Sequence, residues 1–271
     1  MKQRGFALVI VLWSLVLLSL IMTRLVAAGR TETRIATNLV ANAEAEAVAD
    51  GAVWETVFRL EDGSDARWPM GSAAHVLRFP RAEATVRIVP EDGKINPNTA
   101  SLEIMTALLM ECGADAAKAD SLAQAILDWR DPGEQPRPRG GKMAQYRDAG
   151  LDYGPPDAAF ESLDELRRVL GMTEDIFQRL RPHLSLYQSG EPDQSEADPI
   201  VEAALRRLNI RPAPNAAAAV RSKRIVSLSV DAETENGGHF SRHAIIQITA
   251  APQSSYAVLA WDKETDPERS Y

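Results

Sequence analysis

MKQRGFALVIVLWSLVLLSLIMTRLVAAGR, residues 1–30, sets the architecture of this chain. A short basic leader containing Lys2 and Arg4 precedes residues 6–23, in which no side chain is charged. As a helix this uncharged run would be about 27 Å long, close to the ~30 Å thickness of a bilayer core. The sequence therefore predicts a hydrophobic N-terminal helix whose start is held on the cytoplasmic side by the basic leader.

The residues leave three interpretations of this segment open. A cleaved secretory signal would use the small residues 26–28 as its cleavage site, although the apolar run is longer than such signals usually have. An uncleaved membrane anchor is the plain alternative. In a prepilin-type leader, basic residues end in a glycine and a phenylalanine begins a helix that stays in the mature protein, and Gly5 and Phe6 fit that pattern.

The segment that follows continues the helix. Residues 30–60 contain no proline, and apolar residues recur at intervals of four or seven: Ile35, Leu39, Ala43, Ala47, Trp54 and Phe58. This spacing predicts one helix from residue 6 to about residue 60, with this stripe facing a globular domain. A secretory signal gives no reason for such continuity, so the prepilin-type interpretation is favoured, while a membrane anchor followed by a separate surface helix stays open.

The rest of the chain alternates between strand-type and helix-type patterns. Short β-type runs occupy residues 74–79 and 84–89, and helical periodicity follows from residue 96 to about residue 187. Three further strands are predicted at residues 224–230, 244–250 and 256–261, the first two joined by a hairpin through residues 235–238. The order predicts an α+β fold, with a long helix on a small antiparallel sheet and an inserted all-α subdomain.

Composition excludes several classes of function. With 38 acidic against 30 basic residues the chain has a net charge of −8, which disfavours binding to nucleic acid phosphates. The single cysteine, Cys112, cannot form an internal disulfide, and we expect it to be a core residue. The four histidines are scattered along the chain, namely His75, His183, His239 and His243. No phosphate loop, nucleophile elbow or paired His/carboxylate motif is present, so we expect no enzyme.

Five short motifs together resemble a known family. They are the leader with its long helix, GKINPNTA at 93–100, ILDWRDP at 126–132, FESLDEL with LGMT at 160–173, and YAVLAW at 256–261. This combination is similar to the K-type minor pseudopilins of the type II secretion system, the general secretion pathway protein K family. The resemblance implies a pilin-like fold. It divides the chain into a leader (1–5), a transmembrane and amphipathic helix (6–60), two parts of the sheet (61–95 and 200–271) and an inserted α-helical domain (96–199).

The resemblance also implies processing, location and partners. Prepilin peptidase would cleave after Gly5 and Phe6 would be N-methylated. A membrane-spanning helix carrying Phe6, Ile10, Trp13 and Thr23 would then cross the inner membrane of a Gram-negative bacterium once, with the bulk of the chain in the periplasm. The implied partners are the I-type and J-type minor pseudopilins and the major pseudopilin, at the tip of a pseudopilus, and no nucleic acid is expected.

The residue at position 10 is informative for a pilin-like protein. Most such proteins have a glutamate at the fifth mature position, where its carboxylate pairs with the N-terminal ammonium of a neighbouring subunit. Here that position is Ile10. A subunit without this charge lacks a contact toward the subunit ahead of it, which favours a place at the end of a filament, although isoleucine is also simply less costly in lipid.

One cluster of acidic residues resembles a calcium site. Members of the family bind calcium in the inserted domain, and Asp128 and Asp131 are the candidate ligands in this chain. The pattern departs from the family at Gly133, where a further acid is usual, and at residues 142–144, where Lys-Met-Ala replaces an acidic pair. The two aspartates are equally suited to capping a helix or to pairing with arginines. Calcium is therefore the one candidate cofactor, and both interpretations stay open.

An alternative function shares some of these residues. Residues 95–100 and 160–173 also resemble helix-hairpin-helix modules, so the chain could be a minor pilin of a type IV pilus or DNA-uptake system that binds DNA. Those hairpins present backbone amides to phosphate. Here Thr173 replaces the second glycine, and Glu174 and Asp175 place negative charge at that point, which argues against DNA.

Overall fold

The structure is a computed structural model that describes residues 4–62, 68, 71–188, 191–210, 223–249 and 256–263. The α-helices are α1 (Arg4–Glu61), α2 (Leu102–Glu111), α3 (Ala116–Arg130), α4 (Met143–Asp148), α5 (Glu174–Leu180) and α6 (Pro199–Arg207). Two short 3-10 helices cover Leu163–Arg168 and Arg181–His183. The strands are β1 (Gly71–Phe79), β2 (Ala82–Pro90), β3 (Lys223–Thr234), β4 (His239–Thr249) and β5 (Tyr256–Lys263).

The five strands form one antiparallel sheet in the order β1-β2-β3-β4-β5. Strands β2 and β3 are direct neighbours, with Val86 opposite Val230, although helices α2 to α6 lie between them in the sequence. The helical elements are therefore an insertion between two paired strands. The predicted α+β architecture, with a long helix, a small sheet and an inserted helical body, is confirmed.

Helix α1 lies on the sheet through a face of small side chains. Ala41, Ala45, Ala49 and Ala52 are buried at helical spacing, and Val53, Val57 and Leu60 extend the same stripe. These side chains pack against the inward-facing residues of β2, β3 and β4. Because alanine side chains are short, the helix backbone comes close to the sheet, and an added Cβ at Gly238 would lie only 2.0 Å from the Ala41 carbonyl oxygen.

The stripe that the sequence predicts to face the domain is the wrong one. Ile35, Leu39, Trp54 and Phe58 are 55%, 65%, 41% and 68% exposed, and Ala43 and Ala47 are exposed as well. Two apolar stripes run along the outer half of α1, and periodicity alone does not rank them. The sheet packs against the stripe of small residues because it permits closer contact, which leaves Trp54 and Phe58 on the outside. Ile35 and Leu39 lie in the part of the helix where every described side chain is exposed.

The helical body has its own hydrophobic core. Trp129 of α3 is buried and stacks on Phe160, with ring centroids 5.7 Å apart and planes 5° from parallel. Ser162 and Glu165 form a capping box: Ser162 accepts from Asp164 N, and Glu165 accepts from Ser162 N. The element it begins is a 3-10 helix rather than an α-helix.

Helix α6 belongs to this core. Its buried residues Val201, Ala204 and Leu205 pack with the helical body, and Asp198 caps its first turn by accepting from Ile200 N and Val201 N. The sequence places the domain boundary between residues 199 and 200, at the start of this helix. In the structure the body with this core extends through α6.

Cys112 provides a chemical probe of this body. The side chain is 4% exposed, and burial raises the pKa of its thiol from 9.0 to about 11. Near pH 8 the thiolate fraction would then be about 100-fold lower than for an ordinary thiol. We expect the folded chain to react slowly with a thiol reagent and the chain in denaturant to react quickly. Equal rates in the two states would contradict the buried position.

Candidate functional site

The predicted N-terminal site residues lie in the first turns of α1. Gly5 and Phe6 fall within this helix, while residues 1–3 of the predicted leader and the Ala7 side chain lie outside the described residues. Phe6, Ile10 and Trp13 are 72%, 52% and 70% exposed. The structure thus presents these apolar side chains outward, and cleavage after Gly5 and methylation of Phe6 stay predictions.

The whole first half of α1 extends away from the body. Every side chain that the structure describes between residues 6 and 40 is exposed, including Thr23, whose hydroxyl donates to the Ser19 carbonyl at 2.8 Å. A search of the described part of the chain finds no helix with both the length and the apolar character needed to cross a membrane.

An exposed apolar strip continues along the outer half of α1 and onto the sheet. We define the apolar strip as Ile35, Leu39, Val40, Trp54 and Phe58 of α1 with Tyr256 and Val258 of β5, all between 41% and 68% exposed. Trp54 joins the two elements, because it stacks on Trp261 at 5.4 Å and contacts Tyr256 at 5.5 Å between ring centroids. Large exposed apolar side chains that gather into a patch are typical of a protein interface.

A buried arginine fixes α1 on the sheet next to this strip. Arg242 of β4 is 7% exposed and pairs with Asp50 at 2.8 Å and with Glu46 at 2.9 Å, both on α1. Its guanidinium carbon also lies 5.3 Å from the ring centroid of Trp261. Arg242 therefore couples the position of the helix to that of the aromatic cluster.

Replacing Arg242 tests this coupling. Arg242→Leu leaves the carboxylates of Asp50 and Glu46 without their shared cation. We expect the free energy of unfolding to fall by about 2 kcal/mol, less than for a fully buried pair because both acids are partly exposed. Denaturant titration of the full chain measures this change in the free energy of unfolding. Arg206→Leu, which removes an exposed pair with Glu202, is the control and should cost under about 0.5 kcal/mol. Equal losses for the two variants would contradict the coupling role.

Asp128, a predicted metal ligand, is fully buried at the end of α3. Its carboxylate accepts from Arg137 N at 3.0 Å, from Gly141 N at 2.9 Å and from the Arg137 guanidinium at 2.5 Å. Gly140 fits tightly beside it, since an added Cβ would lie 2.1 Å from Asp128 Oδ2. The carboxylate thus organises the returning loop through backbone amides and one arginine.

Asp131, the second predicted ligand, is also engaged by this loop. It pairs with the Arg137 guanidinium at 3.1 Å and accepts from Gly133 N at 3.0 Å. The Gly133 N–H and the nearby guanidinium lower the pKa of the Asp131 carboxyl below its usual value. Arg137 therefore bridges the two carboxylates that the sequence proposes as calcium ligands.

These residues do not fit a calcium ion. Calcium takes six to eight oxygen ligands, largely from carboxylates and carbonyls. Here Arg137 lies between Asp128 and Asp131, and the Lys142 ammonium donates to the backbone carbonyls of both aspartates. Within the described ranges no group of three or more Asp, Glu, His or Cys side chains could hold a metal ion.

The GKINPNTA motif joins the sheet to the helical body. Asn96 Nδ2 donates to the carbonyls of Leu186 and Gln188 at 3.2 and 2.6 Å. Asn98 makes a two-way contact with Phe160, donating to its carbonyl at 2.9 Å and accepting from its N–H at 2.7 Å. The role of these asparagines is to tie together backbone segments that are distant in sequence.

The segment that resembles a helix-hairpin-helix is closed to phosphate. The hydroxyl of Thr173 accepts from Ile176 N, so it caps the first turn of α5. Glu174, in that same turn, pairs with Arg167 at 3.0 Å. Phosphate binding requires free amides and positive charge, whereas this turn presents a capped amide and acidic side chains.

Two histidines acquire partners that sequence reasoning missed. His243 Nε2 lies 2.8 Å from the Ser227 hydroxyl across β3 and β4, and His183 Nδ1 lies 2.7 Å from Asp198 Oδ2. A serine nucleophile needs a base, an orienting group and donors for an oxyanion. Of these three groups, the described contacts supply only a base, His243, beside the Ser227 hydroxyl. Ser227 itself is 8% exposed. Strand alternation in the sequence could have placed Ser227 and His243 on one face of the sheet. It could not show that they meet, because that depends on the register between β3 and β4.

The fold and these surfaces define a class of protein. A long helix with an exposed apolar first half, lying on a small antiparallel sheet, is the pilin-like arrangement. Residues 85–189 match the family model described as type II secretion system, protein K. The resemblance to the K-type minor pseudopilins is therefore confirmed over residues 85–189.

Known proteins support this assignment. A relative from Escherichia coli that carries the name of type II secretion system protein K is 28% identical over 134 residues, 49% of this chain and 39% of the relative. Type II secretion system protein K of Klebsiella pneumoniae is 30% identical and that of Pectobacterium carotovorum 26% identical, each over 82 residues. Those alignments cover 30% of this chain and 25% of each relative. The chain thus spans well under half the length of these relatives.

A solved structure shares the fold. It is a chain of the GspK-GspI-GspJ complex from the type 2 secretion system of enterotoxigenic Escherichia coli, matched with a TM-score of 0.62. The match covers 88% of this chain and 100% of that chain, at 18% sequence identity. At this identity the likeness concerns the fold, and it confirms the pilin-like arrangement with its helical insertion.

Proposed function

We propose that this chain is a minor pseudopilin at the tip of the type II secretion pseudopilus, a component of protein export across the outer membrane. The observation that carries the proposal is the protein K match over residues 85–189, which include most of β2 and the larger part of the body inserted after it. No contact in the described residues favours the alternative DNA-binding pilin, and the capped, acidic turn at Thr173 counts against it.

A non-enzymatic role agrees with the distribution of polar contacts and apolar surface in this chain. The polar groups of the helical body are engaged in holding backbone together, as at Asn96, Asn98 and Asp128. Exposed apolar surface is concentrated on α1 and β5. This distribution suits a subunit that works by assembly rather than by turning over a substrate.

The N-terminal half of α1 would serve as membrane anchor and filament core. In support, residues 6–23 are uncharged and their described side chains are exposed. The subunit would cross the inner membrane once, with its body in the periplasm, after prepilin peptidase has cut behind Gly5. Entry into a filament would then exchange lipid contacts for contacts with neighbouring helices.

The mass of the N-terminal peptide tests this processing. Protein isolated from its own membranes should begin at N-methylated Phe6, because Gly5 and Phe6 fit a prepilin cleavage site. A Gly5→Leu variant is the control and should keep the leader. A wild-type chain that begins at Gly29 would instead indicate a secretory signal, and one that begins at Met1 a plain anchor, and either result would contradict the proposal.

The apolar strip would bind the I-type and J-type minor pseudopilins, with the major pseudopilin further along the filament. In support, Leu39 and Phe58 are 65% and 68% exposed although both are large and apolar. The carboxylate expected of a subunit inside the filament is absent at Ile10. These features favour a subunit at the tip of the filament, which contacts other subunits along α1 and has no further subunit beyond it.

Co-purification with the I-type and J-type subunits tests the strip. Leu39→Ser with Phe58→Ser should lower their recovery at least about 10-fold, because it removes roughly 3 kcal/mol of apolar burial at an interface. The unfolding midpoint should hardly change, since both side chains are exposed in the isolated chain.

Val76→Ser is the matched control, because Val76 is 49% exposed but lies on β1, away from the strip. Its partner recovery should equal that of the wild type. Loss of partners with this control, or full recovery with the double variant, would contradict the proposed interface.

A further inference from the structure

We propose that Lys142, with Arg137, takes the place of a divalent cation in the loop after α3, so that the helical body folds and holds its shape without metal. The resemblance to the protein K family raises calcium as a possible ligand here, and Asp128 and Asp131 are the acids at that point. The two cationic side chains occupy the oxygen-lined space between them. The proposal concerns the stability of the body and does not depend on the secretion role.

The Lys142 ammonium lies inside a cage of three oxygens. It donates to the Asp128 carbonyl at 2.7 Å, to the Asp131 carbonyl, and to the Asp157 carboxylate at 2.5 Å. An ammonium has three N–H donors, so the three acceptors use all of them. The residue is only 7% exposed, and a buried charge is tolerated only when it is paired and fully hydrogen-bonded.

The cage is built from backbone at the end of a helix. Asp128 lies in the last turn of α3, and Asp131 is its C-terminal cap. Carbonyls at a helix C-terminus lack intrahelical partners and carry the negative end of the helix dipole, so they attract a cation. Either a metal ion or an ammonium can supply the positive charge that these carbonyls attract. In this chain the Lys142 ammonium supplies it.

Asp157 reaches the cage from a separate segment in an unusual backbone conformation. Its φ is +57°, in the left-handed region that residues other than glycine seldom adopt. Such a conformation persists when surrounding contacts hold it, and the ion pair with Lys142 is one such contact. The ammonium thus joins α3, its C-terminal cap and residue 157, as a bound cation would.

Arg137 completes the charge balance. Its guanidinium pairs with Asp128 at 2.5 Å and with Asp131 at 3.1 Å, so two cations face the three carboxylates of the cluster. A divalent cation entering the cage would meet the Lys142 ammonium at the oxygens it needs. Because like charges cannot share this small space without a large energetic cost, the loop should not require or bind calcium.

The test compares unfolding midpoints of the full chain, purified in detergent, with chelator and with millimolar calcium. The wild-type Tm should be the same in both, and the purified protein should contain no stoichiometric calcium. Lys142→Met should lower the Tm by roughly 5–10 °C, because it removes the cation and leaves the Asp157 carboxylate and two carbonyls without a donor.

Lys118→Met is the matched control, since the Lys118 ammonium also donates to a backbone carbonyl, that of Gly171, but at an exposed position. Its Tm should fall by less than about 2 °C. A Lys142→Met midpoint equal to that of this control would overturn the proposal.

A second variant tests whether cation and metal are interchangeable. Lys142→Asp removes the ammonium and adds a carboxylate, so its Tm should be low in chelator and should rise with calcium, while magnesium has a smaller effect. If calcium leaves the Tm of this variant unchanged, the cage is not a cation position that a metal can use. If calcium raises, or chelator lowers, the Tm of the wild type, the loop is metal-dependent. Either result overturns the proposal, and the wild-type comparison remains decisive if a variant fails to fold.

Discussion

The close packing of α1 on the sheet is the contact on which the rest of this molecule depends. It is possible because the buried stripe of the helix is mostly alanine, and because Gly238 leaves room for the Ala41 carbonyl. Arg242 then fixes the pairing through Glu46 and Asp50. With this stripe facing inward, Trp54 and Phe58 face outward, so one packing choice creates both the core and the part of the exposed strip that lies beside the sheet.

The helical body is attached to this frame without altering it. Strands β2 and β3 pair as neighbours along the whole length of β2, from Ala82 opposite Thr234 to Pro90 opposite Val226. The body leaves the sheet at one end of this pair and returns at the same end, so the sheet tolerates a large insertion. Asn96 and Asn98 anchor its first segment to distant backbone, and α6 closes its core before the chain re-enters the sheet. Such a unit can diverge in its loops while the frame is retained.

The loop after α3 shows how charged side chains of the chain itself can neutralise a buried carboxylate and the end of a helix. Positive charge stabilises the buried carboxylate of Asp128 and the backbone carbonyls at the C-terminal end of α3. In this chain Arg137 and Lys142 supply that charge from the polypeptide itself. The arrangement makes the loop independent of ion supply, at the cost of burying an ammonium that must keep all three of its partners.

Local signals in the sequence were enough for the long helix, the order of strands and helices and the hairpin at residues 235–238, because each depends on neighbouring residues. The candidate acids Asp128 and Asp131 were also visible, together with the departure at Lys142. The tertiary structure alone decided which stripe of α1 is buried, that Arg242 pairs with residues 192 and 196 positions away, and that Lys142 fills the cage. These contacts join segments far apart in the chain, and periodicity carries no information about which distant surface gives the closest packing or the best-paired charge.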